Sequence, residues 1–356
     1  MTAAPRRILI VRLSHLGDVV HALPVFHAVR AAHPAAEIAW AVQSEFADLL
    51  RGLAGLDRVI EFDRRAGARG WRELRRALRA FAAEWAVDAQ GNWKSAVVAR
   101  LSGAARRSGL ARADWRERSG AWLVPDRALS ARGPHAMDRM RALAEHVAGP
   151  TFALRCDAAL TEAELAEERG DEPELRGLDV VVHLATPGDV RSWSMDRFVE
   201  LGRALSALGR RALYVSGPAE AELGRSVAAE LGSARGIDHW IGQRGLRRLA
   251  RGLTLAAREG TCFLGCDSGP MHLAWASGMR VVCLSGPQDA LRTGPWPVEG
   301  RHAVVRARET PACAPCRARS CSHAEGPVCM RRIAPEDAIA ALAALRAAGA
   351  APITAE

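Results

Sequence analysis

The sequence is short of several features that would assign it to a common enzyme class. Among its 356 residues, it has no uncharged apolar run of the roughly 18 residues that a transmembrane helix needs, so no transmembrane segment is predicted. The patterns Gly-x4-Gly-Lys-Ser/Thr and Gly-x-Gly-x2-Gly are also absent. Their absence argues against P-loop kinases, ATPases and nicotinamide-dependent dehydrogenases.

The charge is strongly positive but evenly spread. The net charge is +9, and Lys94 is the only lysine, so arginine supplies almost all of the basic residues. The arginines are dispersed through predicted helices, without a basic tail or a patch of interleaved aromatic and basic residues, which argues against a nucleic-acid partner. An anionic lipid surface or a phosphorylated substrate remains open. The apolar run near the N-terminus is short and reads as a buried first strand, not a signal peptide, so a cytoplasmic location is expected.

Short apolar runs alternate with segments of helical periodicity, which predicts parallel βαβ units in an α/β fold. The length favours two domains. We predict a first doubly wound, Rossmann-like domain at 1–150, an interdomain segment at 151–177, a second such domain at 178–332 and a C-terminal helix within 333–356. Ligands of such sheets bind at the carboxyl ends of the strands, so a central cleft between the two domains is expected to hold the substrates.

The first candidate site is the turn Ser14–Asp18, which follows the first predicted strand. Asp18 comes where a strand ends and a helix begins, and a carboxylate there can take the proton of an attacking hydroxyl. We therefore assign Asp18 as the catalytic base and His15, in the same turn, to acceptor binding. The alternative is that Asp18 only caps the helix.

The second candidate is the loop Asp88–Ser95, with sequence DAQGNWKS, between a predicted strand and a helix. A glycine-containing loop at a helix N-terminus suits anion binding. Lys94 is the single lysine of an arginine-rich chain, so we assign it to acceptor binding through a phosphate or carboxylate. The alternative is an ordinary solvated lysine.

The third candidate is the segment Cys266–His272, with sequence CDSGPMH, which follows an apolar run and opens a helix. Gly269 permits a tight turn and Pro270 suits a first helical position, so the helix would offer backbone N–H groups to a diphosphate. Asp267, Ser268, Gly269 and His272 are assigned to donor binding. The alternative is an Asp/Ser helix cap beside a core histidine.

Two further turns after strands of the second domain carry polar residues. Thr186 and Arg191 lie in the turn HLATPGDVRSW and are assigned to the donor phosphates, and Glu220 follows SGPA and is assigned to the donor ribose. The alternatives are an ordinary surface turn for the first pair and a favourable helix-dipole charge for Glu220.

Taken together, these blocks resemble glycosyltransferase family 9, the lipopolysaccharide heptosyltransferases. They occur in the family's order and span nearly the whole chain; the matching stretches are ILIVRLSHLGDVVHALPVFHAVRAAHP, DAQGNWKSA, HLATPGDVRSW, SGPAE, GCDSGPMHLAWASG and LSGPQDALRTGPW. The resemblance implies a GT-B fold, with the acceptor on the first Rossmann-like domain and the donor on the second, and a final helix that packs back across both.

The resemblance also implies an activity. It predicts inverting transfer of heptose from ADP-heptose to the lipopolysaccharide inner core, a Kdo- or heptose-lipid A acceptor at the inner membrane, by a cytoplasmic enzyme that associates peripherally with that membrane. No Asp-x-Asp motif occurs at the predicted diphosphate site, which fits catalysis without a metal cofactor. A uridine-nucleotide transferase or epimerase, and a non-catalytic protein that binds sugar or anionic lipid, remain open.

Four of the eight cysteines cluster near the C-terminus with the spacing Cys-x2-Cys-x4-Cys-x7-Cys, at Cys313, Cys316, Cys321 and Cys329. In a cytosolic protein such spacing favours a metal site over disulfides. Four thiolates with this spacing suit a structural zinc or an iron–sulfur cluster, and reduced or bridged thiols are the alternative.

Overall fold

A computed structural model describes residues 4–171, 175–242, 245–297, 300–318 and 320–348. The chain divides between Thr161 and Glu162 into two compact units, which we call unit 1 and unit 2. The division falls inside the segment 151–177 that the sequence analysis assigned to the interdomain region.

Unit 1 is built on one sheet of six parallel strands in the order β3-β2-β1-β4-β5-β6. The strands are β1 Arg7–Val11, β2 Glu37–Gln43, β3 Arg58–Phe62, β4 Trp85–Asp88, β5 Arg106–Gly109 and β6 Asp126–Arg127. The helices are α1 Leu16–Ala32, α2 Ser44–Leu50, α3 Gly67–Phe81, α4 Trp93–Leu101 and α5 Ala136–Ala148. Two 3₁₀ helices, Arg112–Asp114 and Arg118–Leu123, follow β5.

The central strand β1 is apolar because both of its faces are covered. Residues 8–11 are fully buried, as expected of a parallel strand between two helical layers. Helix α1 packs against α5, and nearly all of its residues from Leu16 to Val29 are buried. The outer helix α3 shows the opposite pattern, since it buries Leu74, Leu78 and Phe81 and turns its arginines to solvent.

Unit 2 repeats the topology, with six strands in the order β12-β11-β10-β7-β8-β9. The strands are β7 Val180–His183, β8 Ala212–Ser216, β9 Ile237–Ile241, β10 Cys262–Cys266, β11 Arg280–Leu284 and β12 Ala303–Val305. The helices are α6 Glu162–Asp171, α7 Met195–Ala207, α8 Ala221–Leu231, α9 Leu246–Arg258, α10 Gly269–Ala276, α11 Ala290–Thr293, α12 Val328–Arg331 and α13 Pro335–Ala347. The doubly wound α/β fold predicted for both halves of the chain is thus confirmed.

In each sheet the strand order reverses beside the first strand, between β1 and β4 in unit 1 and between β7 and β10 in unit 2. Loops that leave the carboxyl ends of these strands diverge to opposite faces of the sheet, and the space between them is where ligands of open α/β sheets bind. The candidate blocks at Ser14–Asp18, Asp88–Ser95, His183–Trp193 and Cys266–His272 all follow these four strands.

Helix α6 was not predicted as a helix. It is attached to α9 by ion pairs instead of an apolar stripe: Arg247 Nε lies 3.0 Å from Glu164 Oε1, and Arg248 Nε lies 3.1 Å from Glu168 Oε1. Glu168 and Arg247 are both buried. A largely charged helix is therefore held against α9, because each buried charge has a partner.

Helix α13 packs on the sheet of unit 2, against α7 and strands β10, β11 and β12. Near its C-terminal end, Arg346 Nη2 lies 2.7 Å from Asp179 Oδ1, just before β7. Residues 349–356 of the predicted C-terminal segment lie outside the described residues, and packing across both domains stays a prediction. None of the described helices has the length and apolar character required to cross a bilayer.

Candidate active site

A pocket of about 200 Å³ opens at the carboxyl ends of β1 and β4 in unit 1. We call it the Asp18 pocket. Its polar lining comes from three elements: the turn after β1, the loop after β4 and the segment from the first 3₁₀ helix to α5. The residues are Arg12, Ser14, His15, Asp18, His21, Gln90, Asn92, Asp114, Arg116 and Arg139. Two of the three residues that we assigned to unit 1, Asp18 and His15, thus line one cavity.

The carboxylate of Asp18 is held through both of its oxygens. Its Oδ2 accepts a hydrogen bond from the backbone N–H of His15 at 3.2 Å, and its Oδ1 lies 2.6 Å from Nη2 of Arg12. The helix-capping alternative is therefore realised in the structure. Capping occupies one oxygen only, and the side chain stays 42% exposed to the pocket, so the cap does not prevent contact with a substrate.

Arg12 connects Asp18 to the floor of the pocket. Its side chain is only 9% exposed, and its Nη1 donates to the backbone carbonyl of Ala89. Its charge also acts on the carboxylate of Asp88, the last residue of β4. One guanidinium thus joins the turn after β1 to the loop after β4, which keeps the two segments in a fixed relation.

Asp88 is fully buried and organises the loop that follows it. Its carboxylate accepts hydrogen bonds from the N–H of Gln90 at 2.8 Å, from the N–H of Gly91 at 3.0 Å and from the hydroxyl of Ser95 at 2.8 Å. Burial raises the pKa of Asp88 to about 6, although these hydrogen bonds and Arg12 oppose the rise. Asp88 therefore acts within the protein and does not face the pocket.

Lys94 lies apart from the other two unit 1 assignments. It is half-buried in the first turn of α4, it is not among the residues that line the Asp18 pocket, and no hydrogen bond or ion pair joins it to another residue in the described ranges. The helix itself begins at Asn92, which accepts from the N–H of Ser95 at 3.0 Å. The role of Lys94 in acceptor binding stays a prediction.

In unit 2 the segment after β10 forms a polar cluster at the carboxyl edge of the sheet. Asp267 is buried; its Oδ2 accepts from the hydroxyl of Thr293 at 3.0 Å, and its Oδ1 lies 3.4 Å from Nε2 of His272. The other imidazole nitrogen accepts from the indole N–H of Trp275 at 3.3 Å. Asp267 and Trp275 together fix the orientation of the His272 ring.

Helix α10 begins at Gly269, with Ser268 as its N-terminal cap residue and Pro270 in the first turn. The Ser268 side chain does not cap the helix, and its Oγ is buried without a hydrogen-bond partner among the described residues. A buried, unpaired hydroxyl beside a helix N-terminus is costly unless something binds to it. This edge therefore offers a hydroxyl and helix N–H groups to an anion.

Arg191 reaches the same edge from the turn after β7. Its guanidinium pairs with both carboxylate oxygens of Asp189, at 2.9 Å from Nε and 2.6 Å from Nη2, and its Nη1 donates to the backbone carbonyl of Asp267 at 3.3 Å. The bond to Asp189 raises the pKa of Arg191 and lowers that of Asp189. The structure thus brings Arg191 together with the Asp267–His272 cluster.

Thr186 and Glu220 form a second pair at this edge, between β7 and β8. The hydroxyl of Thr186 donates to Oε1 of Glu220 at 2.6 Å, and the N–H of Gly217 donates to Oε2 at 3.0 Å. Glu220 is buried, and nearby His183 has a buried Nδ1 without a hydrogen-bond partner among the described residues. Burial lowers the pKa of His183 to about 4, and the negative charge of Glu220 opposes this, so the imidazole is neutral at physiological pH.

Five residues of these sites were not singled out from the sequence: Arg12, Asp88, His183, Asp189 and Thr293. Each lies inside a block that the family resemblance matched, so the signal was present. Several of their partners were not visible, because contacts such as Arg12 with Ala89 and Thr293 with Asp267 join different segments, and sequence spacing does not reveal which segments meet.

The cysteine cluster does not form the predicted zinc site. Cys313, Cys316 and Cys321 are exposed, Cys329 is buried, and all four are free thiols. Among the described residues, no three or more His, Cys, Asp or Glu side chains come together as metal ligands. The spacing alone suggested a metal. The segment places Cys329 in the core of unit 2, where burial raises the pKa of its thiol.

Comparison with known proteins agrees with this architecture. The family model for glycosyltransferase family 9 (heptosyltransferase) matches residues 71–325. Lipopolysaccharide heptosyltransferase 1 of Pseudomonas aeruginosa is 27% identical over 354 residues, covering 93% of this chain and 95% of its own. The lipopolysaccharide core heptosyltransferase OpsX of Haemophilus influenzae is 23% identical over 303 residues, covering 83% of each.

Solved structures show the same fold. The Escherichia coli heptosyltransferase WaaC with ADP is similar with a TM-score of 0.66 and 26% identity, over 85% of this chain and 91% of that one. The E. coli ADP-heptose heptosyltransferase II gives a TM-score of 0.72 at 20% identity, over 95% and 98%. The predicted GT-B class, with two Rossmann-like domains, is confirmed, and the chain belongs to glycosyltransferase family 9, the heptosyltransferases, and is a glycosyltransferase.

Proposed function

We propose that this enzyme transfers heptose from ADP-heptose to the lipopolysaccharide inner core, with inversion at the anomeric carbon and without a metal cofactor. The relatives named above support the donor and the acceptor, since they are lipopolysaccharide heptosyltransferases and WaaC has been solved with ADP and with ADP-2-deoxy-2-fluoro heptose. The observation that carries the proposal is the cluster at the start of α10, where Ser268 and Arg191 meet a helix N-terminus.

Unit 2 would hold the donor. The diphosphate binds at the N-terminus of α10, where the N–H of Gly269 and the hydroxyl of Ser268 offer hydrogen bonds. We keep His272 assigned to the donor as part of the same turn, with its ring nitrogens facing Asp267 and Trp275. Asp267 orients His272, and the Arg191 guanidinium adds positive charge. As the bond between the anomeric carbon and the diphosphate breaks, negative charge grows on the leaving ADP, and these groups stabilise it in the role that a metal plays elsewhere.

The ribose of the donor would bind at the pair Thr186 and Glu220. A carboxylate that already accepts from Thr186 and Gly217 keeps further lone pairs for ribose hydroxyls. The adjacent His183 has an unused buried nitrogen that can take part in the same network.

Asp18 would act as the base. The acceptor hydroxyl attacks the anomeric carbon, its proton passes to the Asp18 carboxylate, and ADP departs from the opposite face, which inverts the configuration. Arg12 keeps the carboxylate in place through Oδ1.

The arginines that line the Asp18 pocket, among them Arg116, fit an acceptor that carries carboxylates or phosphates. We assign His15 and Lys94 to the same acceptor. The enzyme would work on the cytoplasmic face of the inner membrane.

Turnover with defined substrates tests the proposal. The purified chain is incubated with ADP-heptose and a heptose-deficient core lipid, and both ADP release and the heptosylated lipid are measured, with a UDP-sugar as the alternative donor. Asp18→Asn should lower kcat by about 10²–10⁴-fold, the range for loss of a general base, while calorimetry shows ADP affinity unchanged. Glu73→Gln, on the solvent side of α3, serves as the control with wild-type turnover.

The outcomes separate the alternatives. No transfer from ADP-heptose by the wild type contradicts the proposed donor, and transfer from the UDP-sugar instead would identify a uridine-nucleotide enzyme. Binding of ADP without any turnover would indicate a non-catalytic binding protein. Full activity of Asp18→Asn would remove Asp18 as the base and leave the donor assignment standing.

A further inference from the structure

Two tryptophans of unit 1 are exposed, although tryptophan is usually buried in a soluble domain. Trp122 is 75% exposed and Trp93 is 45% exposed. Trp40, Trp85 and Trp115, in the same unit, are at most 3% exposed. The two exposed indoles therefore need an explanation that core packing does not supply.

The two indoles lie on the same face of unit 1. The indole N–H of Trp93 donates to the hydroxyl of Ser119 at 3.0 Å. Ser119 and Trp122 both belong to the 3₁₀ helix Arg118–Leu123 and are three residues apart, and side chains with that spacing are aligned along a 3₁₀ helix. The hydrogen bond and this alignment place Trp93 and Trp122 on the side of unit 1 that carries the 3₁₀ helix, where both rings are exposed.

Three exposed arginines, Arg112, Arg116 and Arg118, lie in the same segment as Trp122, and none of them forms an ion pair with a carboxylate within the described ranges. The guanidinium carbon of Arg112 lies 5.6 Å from the ring centre of Trp122. The two acidic residues of the segment are held by backbone hydrogen bonds: Glu117 accepts from the N–H of Trp93 at 2.8 Å, and Asp114 accepts from the N–H of Ala131 at 3.3 Å. Three guanidinium groups against two carboxylates leave the segment with a net positive charge.

This surface borders the Asp18 pocket. Arg116 lines the pocket and precedes Glu117, which contacts Trp93; Asn92 lines the pocket and directly precedes Trp93. We call the group Trp93, Arg112, Arg116, Arg118 and Trp122 the indole surface. Its position means that any partner docked there lies at the mouth of the pocket.

We propose that the indole surface docks unit 1 on an anionic lipid bilayer, with the two indoles at the depth of the headgroups and the arginines against lipid phosphates. Tryptophan is enriched at membrane–water interfaces, and each arginine or lysine near an anionic leaflet adds attraction. If the partner were a second copy of this protein, the interface would not explain why three guanidinium groups lack carboxylate partners within the described ranges. Binding of the indole surface to lipid does not depend on the proposed function. Only its purpose, which is to bring the Asp18 pocket to a lipid-borne acceptor, rests on that function.

Vesicle binding tests the inference without any turnover. The full-length chain is mixed with sedimentable vesicles of phosphatidylcholine alone or with one third phosphatidylglycerol, and the bound fraction is measured. The variant Trp122→Ser with Arg112→Gln and Arg118→Gln should bind the anionic vesicles about tenfold or more less tightly than wild type. Arg116 is left unchanged because it lines the pocket. The matched control is Leu208→Ser with Arg65→Gln and Arg69→Gln, which changes one exposed apolar residue and two exposed arginines elsewhere.

The results have separate meanings. Binding of wild type to anionic but not to neutral vesicles, lost in the variant and kept in the control, supports the inference; Asp18→Asn should bind like wild type whether or not the enzyme transfers heptose. Equal binding by the variant, or no vesicle binding by wild type, overturns it. A self-associating wild type that becomes monomeric in the variant, seen by analytical ultracentrifugation, would instead make the indole surface an interface between copies. Trp122→Ser alone, at the most exposed position, provides the same test if the triple variant does not fold.

Discussion

The buried carboxylate of Asp88 makes a quantitative prediction about stability. Burial raises the pKa of Asp88 from 3.8 to about 6. Between pH 3.8 and about 6, Asp88 therefore keeps a proton in the folded chain that it has lost in the unfolded chain. Because the folded state binds more protons, the free energy of unfolding falls as pH rises through the window. At about 1.36 kcal/mol for each pH unit between 3.8 and 6, the full loss is about 3 kcal/mol, and about 2 kcal/mol of it lies between pH 4.5 and 7.5.

Asp88→Asn removes this titration and keeps an oxygen for the N–H groups of Gln90 and Gly91. In equilibrium urea unfolding of the full-length chain, the stability of Asp88→Asn relative to wild type should therefore rise by about 2 kcal/mol from pH 4.5 to pH 7.5. Other titrating groups cancel in this difference. The exposed Asp63, changed to Asn, provides a control for the substitution itself. A difference between Asp88→Asn and wild type that does not change with pH would refute the idea that burial sets the pKa of this carboxyl.

Three further predictions concern the two candidate sites and the cysteines. Arg12→Met removes one charged contact of the Asp18 carboxylate, which is 42% exposed. Steady-state kinetics should show kcat lowered by about tenfold, near the lower end for a hydrogen bond to a charge, with little change in KM. An unchanged kcat would mean that Arg12 does not position Asp18. Ser268→Ala should weaken ADP binding by about 1 kcal/mol in calorimetry without lowering the melting temperature, since its hydroxyl has no partner in the described chain, and a lower melting temperature with unchanged ADP affinity would point to a structural role. Changing the exposed Cys313, Cys316 and Cys321 together to Ser should leave activity and thermal stability unchanged, with or without a chelator, whereas loss of stability accompanied by release of zinc would restore the metal site.

The alternation of strands and helices was readable from the sequence because both sheets are parallel and covered on both faces. The central strands β1 and β10 appear as apolar runs, as expected of strands with both faces buried. Helix α6 was not predicted as a helix, because the glutamates that face α9 are paired with arginines of that helix. A hydrophobic pattern cannot report a helix whose partners are charges about 80 residues away.

The candidate residues were partly readable for a related reason. A polar residue directly after an apolar strand has to lie at the carboxyl edge of a parallel sheet, which placed Asp267 at the end of β10. Asp18 follows β1 after a short turn and lies in the first turn of α1. Lys94 was selected for its rarity, a property that has no geometric content, and the structure leaves it outside the pocket lining. No patch of interleaved aromatic and basic residues was recognised, although Arg112, Arg116, Arg118 and Trp122 lie close together in sequence. Trp93 is distant in sequence and joins them through its hydrogen bond to Ser119.

The two sites where the strand order reverses differ in the charges that their side chains present. This difference is the strongest physical argument for their separate roles. In unit 1 the guanidinium of Arg12 is buried against Asp18 and Asp88, which keeps a carboxylate in place where it can accept a proton. In unit 2 the carboxylate of Asp267 is turned towards Thr293 and His272, and the side facing the helix start is left with N–H and hydroxyl donors. Both sheets have the same strand order. The different roles proposed for the two edges therefore come from the few side chains that follow β1, β4, β7 and β10. Introducing a negative charge at either edge, for example by Arg12→Glu or Ser268→Asp, should therefore abolish transfer.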